Sequence, residues 1–205
     1  VYTVAVTLKQ PGEEAAFVAR CSDAALHRRA DFTLHAGTQP LLHRPVVCGL
    51  GPAGLFAALL LARKGYRPIV LERGPALDAR VQAVEHFSAT GQLDPNANIQ
   101  FGEGGAGTFS DGKLNTGVNN PRIGWILEQF VAAGAREDIL YDAKPHVGTD
   151  VLLTVVQNLR KRIISLGGEV RFNTQVTGLC TENGRLTGLK IADGTVIPCD
   201  RAVLA

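Results

Sequence analysis

The 205-residue sequence contains no methionine, a single tryptophan and only four cysteines. The cysteines are scattered and form no CxxC pair, which argues against a zinc site or a disulfide scaffold and is typical of a reducing compartment. We therefore expect a cytoplasmic protein. Cys48 lies in an apolar segment, and we interpret it as a small core residue.

Long hydrophobic runs are also missing. The longest, Leu55–Ala62, is closed by Arg63 and is far shorter than the roughly 20 apolar residues that cross a bilayer. The net charge of +2 gives no electrostatic case for nucleic acid or for an anionic membrane as a partner. With 45% hydrophobic and 20% charged residues, the composition is that of an ordinary folded protein.

The first 44 residues have their own character. Residues 1–8 alternate between apolar and polar positions and predict a half-buried strand, whereas the Ala-rich residues 13–30 predict one helix. Residues 31–44 have no period and are interpreted as a linker. We expect residues 1–44 to be the tail of a small α+β N-terminal domain. The shared face of the predicted strand would carry Tyr2, Val4, Val6 and Leu8.

Both ends of the chain look truncated. It starts at Val1 without a methionine and stops at Ala205 inside an apolar run. We interpret it as a piece of a longer protein. Residues 45–205 would then form a C-terminally incomplete domain, inactive or incomplete in this form.

A strand, a helix and a second strand follow Pro45. Val46–Cys48 is a short apolar strand, Pro52–Lys64 is a helical stretch closed by Gly65, and Arg67–Leu71 is a second strand. The order predicts a βαβ unit, the building block of parallel α/β sheets.

Two further helices are predicted from apolar spacing, over residues 121–133 and 149–166, the second with Thr149 as its N-cap. Residues 75–121 have no clear period and are interpreted as mostly irregular. Arg160–Arg162 lie on the longer helix and are interpreted as its solvated face.

The last third of the sequence reads as strands. Asn183-Gly184 and Asp193-Gly194 are turn signals, and Asn-Gly favours a type I′ hairpin turn. A β-meander therefore separates a third parallel strand from a last one. The predicted strands cover residues 169–173, 175–181, 186–191, 195–198 and 201–205.

The βαβ unit carries a complete dinucleotide fingerprint. Gly49 permits the tight turn, Gly51 lets a pyrophosphate approach the backbone, and Gly54 lets the helix lie close to the strand. Pro52-Ala53 begin the helix, whose free N–H groups attract phosphate. Glu72 lies about 18 residues beyond Gly54, where its carboxylate can accept hydrogen bonds from ribose hydroxyls. Its negative charge argues against a nucleotide with a 2′-phosphate. The positive charge of the neighbouring Arg73 weakens this argument.

Two segments carry a resemblance to known flavoproteins. Val46–Gly74 resembles the opening of FAD-dependent oxidoreductases of the glutathione-reductase-like, two-dinucleotide-binding type. NIQFGEGGAGTFSDGKL (98–114), followed by KPHVGTD (144–150), resembles bacterial proteins described as uncharacterised FAD-dependent or NAD(FAD)-utilising dehydrogenases. The resemblance covers about residues 45–205. It implies a Rossmann-like FAD-binding domain with a parallel sheet and β-meander, in which Val176 contacts the adenine.

Glycines crowd the loop Phe101–Leu114. They suit a backbone that passes close to a flat ring or a phosphate, and an ordinary surface loop is the alternative. We expect the loop to pack along the flavin. The side chains of Ser110, Asp111 and Lys113 would either lie near the flavin or have a structural role only. The loop residues expected nearest to the cofactor are Gly104, Gly105, Gly107 and Thr108.

Other candidate residues are less specific. Arg73 is grouped with the cofactor site, and Arg80 would reach the cofactor phosphates or else lie on the surface. His86 and His146 have no visible partner and are interpreted as structural. No catalytic residue and no metal ligand is assigned.

We therefore expect an FAD-binding oxidoreductase, a flavin-dependent dehydrogenase or reductase of unknown substrate. A small molecule or an electron donor such as NAD(P)H would be its partner. Two alternatives stay open: an NAD-dependent Rossmann dehydrogenase, and a non-catalytic module that senses flavin.

Overall fold

The structure is a computed structural model that describes residues 4, 6–10, 12–26, 35–114, 117–118, 120–142 and 144–205. The described residues fall into two units, one up to residue 26 and one from residue 35. Residues 35–44 belong to the second unit, where the Arg44 guanidinium pairs with the Glu169 carboxylate at 2.9 Å. The assignment of residues 1–44 to a separate domain stays a prediction.

The N-terminal unit contains one short helix, α1 (Glu14–Val18). The described residues of the predicted first strand are not in strand conformation, and Val4 and Val6 are 73% and 72% exposed. An alternating strand needs a second strand or another element to cover its apolar face. Among the described residues up to 26, no residue is in a strand. Residues 1–3, 5 and 27–34, which those predictions also covered, lie outside the described residues.

A parallel sheet of four short strands organises the second unit. Its strands are β1 (Val46–Cys48), β2 (Ile69–Leu71), β3 (Glu169–Arg171) and β7 (Ala202–Leu204), in the order β3-β2-β1-β7. Strands buried on both faces read as continuous apolar runs, which is why β1 and β2 were visible in the sequence. The predicted βαβ unit and the last parallel strand are confirmed.

The meander is also confirmed. Its strands β4 (Val176–Glu182), β5 (Arg185–Ile191) and β6 (Val196–Pro198) form a separate antiparallel sheet. Asn183 and Gly184 have φ angles of 49° and 74°, the positive values that a type I′ turn requires.

Helices α2 (Pro52–Arg63) and α5 (Thr149–Ser165) pack against the parallel sheet, and α4 (Arg122–Ala132) packs against α5. The predicted stripe of α5 is buried. Its N-cap is not Thr149 but Gly148, whose φ of 86° puts it in a region that favours glycine. The Thr149 hydroxyl instead donates to the Ser110 carbonyl. The buried α5 residues are Leu152, Val155, Val156, Leu159 and Ile163.

The interpretation of residues 75–121 as mostly irregular is wrong in its first part, which forms helix α3 (Leu77–Thr90). Only Leu77 and Arg80 of this helix are buried, so it has no apolar stripe for periodicity to detect. Gly91, with φ of 73°, ends it.

Gly54 fixes how closely α2 approaches β1. A methyl group at this position would collide with the Gly49 carbonyl oxygen and lie 3.3 Å from the Ala205 side chain. We expect Gly54→Ala to lower the free energy of unfolding by about 2 kcal/mol, because backbone must move to make room. Urea denaturation measures this.

Gly124→Ala in α4 is the matched control, since a methyl group there has nothing within 4 Å. Alanine in an exposed helix position stabilises by about 0.5–1 kcal/mol over glycine. Equal unfolding midpoints for the two variants would contradict the close-packing role of Gly54.

Candidate functional site

An open cleft of about 460 Å³ lies at the carboxyl ends of β1 and β2. In open parallel sheets, ligands bind at this edge, where successive crossovers leave a central strand in opposite directions. Here β1 is that strand, with β2 on one side and β7 on the other. Of the residues predicted for cofactor binding, the cleft is lined by Gly49, Gly51, Pro52, Glu72, Arg73, Gly105 and Val176.

The glycine turn forms the floor of the cleft. Gly49 has a φ of 99°, and a methyl group there would lie 2.5 Å from the Ala205 carbonyl oxygen. Gly51 differs, because it has an extended backbone with φ of −67° and nothing within 4 Å of the place a methyl group would take. The space beside Gly51 is therefore open to a ligand rather than filled by the protein.

Helix α2 begins at this open space. Gly51 is its N-cap without a side-chain capping hydrogen bond, and Pro52 occupies its first turn. The N-terminus of a helix carries unsatisfied N–H groups and a partial positive charge, which together attract a phosphate. Ala53 is exposed in the same turn but does not line the cleft.

Glu72 follows β2 and is only 4% exposed. One of its carboxylate oxygens accepts from the Leu50 N–H at 2.7 Å, and the other accepts from the Gly74 N–H at 2.8 Å. Two backbone bonds fix the orientation of the carboxylate while each oxygen keeps a second lone pair. The side chain can thus still accept hydroxyl donors from the cleft.

Arg73 and Phe101 form one side of the cleft. The Arg73 guanidinium carbon lies 3.8 Å from the centre of the Phe101 ring, a cation–π contact. Arg73 was predicted from the sequence as a cofactor-binding residue and Phe101 was not, although Phe101 stands just before the glycine-rich segment. The pair offers a flat surface for a planar group.

The glycine-rich loop is bound to the dinucleotide turn. The Gly104 N–H donates to the Leu50 carbonyl at 2.8 Å, and Gly105 sits against Pro52, where a methyl group would lie 2.7 Å from the Pro52 Cδ. Gly105 lines the cleft. Gly104, Gly107 and Thr108 do not, and the Thr108 side chain is fully buried behind Gly104. Their predicted contacts with the cofactor stay predictions.

Arg80 is neither on the surface nor in the cleft lining. Its side chain is fully buried, and burial lowers the pKa of its guanidinium, an effect that Glu72 and Glu103 oppose. The guanidinium donates to backbone carbonyls of the loop, and its predicted contact with the cofactor phosphates stays a prediction. The accepting residues are Asn98, Ile99, Glu103 and Gly105.

A buried ion pair, which was not predicted from the sequence, lies behind the loop. The Glu103 carboxylate is fully buried and lies 3.2 Å from Arg160 Nε, whose side chain is 16% exposed. Burial raises the pKa of Glu103, and the Arg160 charge lowers it again in part. The interpretation of Arg160 as solvated is therefore wrong, because α5 turns this residue toward the loop.

The remaining candidates form no catalytic pair. The Lys113 ammonium and the Asp111 carboxylate are 2.7 Å apart on an exposed stretch, where the Lys113 hydrogen bond lowers the pKa of Asp111. The His146 ring nitrogen contacts the Asp111 carbonyl, and His86 contacts Gln92 at 3.3 Å.

Cys48 lines the cleft as a half-buried wall residue. Burial, with a smaller effect of Cys199, raises the pKa of its thiol to about 11. The thiol is therefore protonated at neutral pH and is a poor nucleophile.

The described residues contain no group of three or more His, Cys, Asp or Glu side chains that could hold a metal ion. Among the helices in the described parts of the chain, none has the length and apolar character to cross a membrane.

A curated relative and several solved structures resemble the chain, whereas no family model matches it. An uncharacterized protein from Clostridium beijerinckii is 48% identical over 173 residues, which is 84% of this chain and 32% of that protein. The chain thus spans about a third of the length of this relative.

Two solved structures are among those that match the chain. Thermovibrio ammonificans THI4 is 21% identical with a TM-score of 0.50, over 78% of this chain and 56% of that one. Glycine oxidase from Bacillus cereus is 15% identical with a TM-score of 0.42, over 78% and 54% of the respective chains. The likeness to THI4 and the strand order together show that this chain has a Rossmann-like α/β fold built on a parallel four-stranded sheet.

Proposed function

We propose that the protein is an FAD-binding oxidoreductase whose cleft holds the adenosine and pyrophosphate end of the cofactor. The observation that carries the proposal is the open space beside Gly51, which lies between the start of α2 and the fixed carboxylate of Glu72. The open backbone and the helix N-terminus suit a pyrophosphate, and the carboxylate suits the hydroxyls of the adjoining ribose. A cleft of about 460 Å³ lies within the size range of small-molecule sites.

Each part of the dinucleotide has a candidate partner. The pyrophosphate would lie at Gly51 and the N-terminus of α2, and the ribose hydroxyls would donate to Glu72. The adenine would lie between Val176 and the flat surface of Arg73 and Phe101. Gly104, Gly107 and Thr108 would act farther along the loop, toward the flavin.

FAD is favoured over NAD by the meander between β3 and β7 and by the resemblance of the 98–114 loop to flavoproteins. When bound, FAD accepts a hydride or electron pair from a donor and passes it on, while the protein supplies binding, orientation and electrostatics. NADH or NADPH is the proposed donor, and the acceptor is a small molecule or an electron carrier.

The experiment is anaerobic stopped-flow of the FAD-loaded protein mixed with NADH or NADPH. We expect the oxidised flavin absorbance to bleach during the reaction. A protein that binds FAD but is reduced by no common donor would contradict the oxidoreductase and support the flavin-sensing alternative. A protein that binds NAD and not FAD would overturn the cofactor assignment.

A further inference from the structure

The loop of residues 98–106, part of which lines the cleft, is held from behind by a buried arginine. Arg80, on α3, uses Nε to bind the Asn98 carbonyl at 3.1 Å. One terminal nitrogen binds the Glu103 and Gly105 carbonyls at 2.7 and 3.0 Å, and the other binds the Ile99 carbonyl at 3.2 Å. A single side chain therefore fixes four backbone groups of one loop.

The loop in turn holds the helix that carries Arg80. A Glu103 carboxylate oxygen accepts from the Leu77 N–H at 2.7 Å, at the first residue of α3, where the N-cap Ala76 offers no side-chain hydrogen bond. The other oxygen faces Arg160 of α5, whose guanidinium lies 5.2 Å from the Phe172 ring centre. Loop, α3 and α5 are thus joined by a buried network of two arginines and one glutamate.

The guanidinium stands directly behind the cleft surface. A methyl group at Gly102 would lie 2.8 Å from Arg80 Nε, and Gly102 itself lines the cleft. Phe109 covers the guanidinium from another direction, with its ring centre 4.8 Å from the guanidinium carbon. Arg80 is fully buried, so it can act on a ligand only through the loop.

We propose that Arg80 is a positioning residue of the dinucleotide site, which holds Phe101, Gly102 and Gly105 in the arrangement that meets the cofactor. The proposal rests on the proposed function. A loop this rich in glycine loses much conformational entropy when it is ordered. If Arg80 orders it beforehand, ligand binding does not bear that cost.

The fork of the guanidinium matters more than its charge. Arginine offers five N–H donors in a fixed plane, whereas lysine offers three donors on one flexible point. Four carbonyls in three directions cannot all be reached by one ammonium group. Arg80→Lys therefore keeps the charge and loses most of the arrangement.

The experiment compares FAD dissociation constants and urea unfolding for wild type, Arg80→Lys and Arg44→Lys. Arg44 is the matched control because its guanidinium also binds carbonyls, those of Arg67, Pro68 and Gly167, together with Glu169. It lies at the amino ends of β2 and β3, away from the cleft. We expect both variants to lose stability but only Arg80→Lys to weaken FAD binding, by about tenfold or more.

Chemical rescue separates positioning from stability. In Arg80→Ala, guanidinium ion at low millimolar concentration should restore FAD affinity, and methylammonium should not, because only guanidinium has the planar fork. Wild-type FAD affinity in Arg80→Lys would overturn the proposal while leaving the proposed function intact. Failure of the wild type to bind FAD would overturn the proposed function and this proposal with it.

Discussion

Gly51→Ala is expected to fold normally and to lose affinity for FAD by about a hundredfold, or roughly 2.8 kcal/mol. The backbone at Gly51 has φ of −67°, which alanine adopts without strain, and the methyl group meets no protein atom within 4 Å. The only expected cost in stability is the poorer N-cap, about 1 kcal/mol. The methyl group instead enters the space where the pyrophosphate would approach.

Isothermal titration with FAD measures this effect, with unfolding by urea recorded in parallel. Gly124→Ala in α4, which also adds a methyl group in open space, should bind FAD as the wild type does. Unchanged affinity in a folded Gly51→Ala would mean that no phosphate passes beside this residue.

Glu72→Gln is expected to lower the free energy of unfolding by about 3 kcal/mol and FAD affinity by about tenfold. The two carboxylate oxygens accept from the Leu50 and Gly74 N–H groups. A glutamine can accept only one of these bonds, since its NH₂ group must face the other N–H. A buried donor then stays unsatisfied, and the orientation of the group toward the ribose is lost.

Glu169→Gln is the control for this change. Glu169 lies at the amino end of β3 with a 38% exposed side chain and pairs with Arg44 and Arg171. Exposed ion pairs contribute at most about 1 kcal/mol, so this variant should be nearly as stable as the wild type and bind FAD equally well. A Glu72→Gln variant that matched Glu169→Gln in both measurements would remove Glu72 from the site.

The parallel sheet and the meander could be predicted because each rests on a local signal. Buried parallel strands are continuous apolar runs, and Asn183-Gly184 can take the positive φ angles of a tight hairpin. Helix α3 gave no such signal, because it buries only Leu77 and Arg80 and is held by Glu103 rather than by an apolar stripe. Its existence depends on tertiary contacts that residue spacing does not encode.

The residues of the candidate site also fall into those with a local sequence signal and those without one. Gly49, Gly51, Gly54 and Glu72 could be located because their positions are set by the backbone of a single βαβ unit. The positions of Arg80 and Arg160 could not, since each meets partners from a different element; the sequence offered only the cofactor phosphates or the surface for Arg80, and the solvated helix face for Arg160. Charges held inside the protein in this way become recognisable only when the carbonyls and carboxylates around them are known.

The most direct test of the central claim is an equilibrium titration of the purified protein with FAD, FMN and NAD. FMN lacks the adenosine and the second phosphate, which are the parts that we assign to the cleft. We expect one bound FAD per chain and much weaker binding of FMN, whereas NAD, which shares the adenosine and pyrophosphate but lacks the flavin that we propose for the loop, should bind less tightly than FAD. Equal affinity for FAD and FMN, or no binding of FAD, would contradict the central claim.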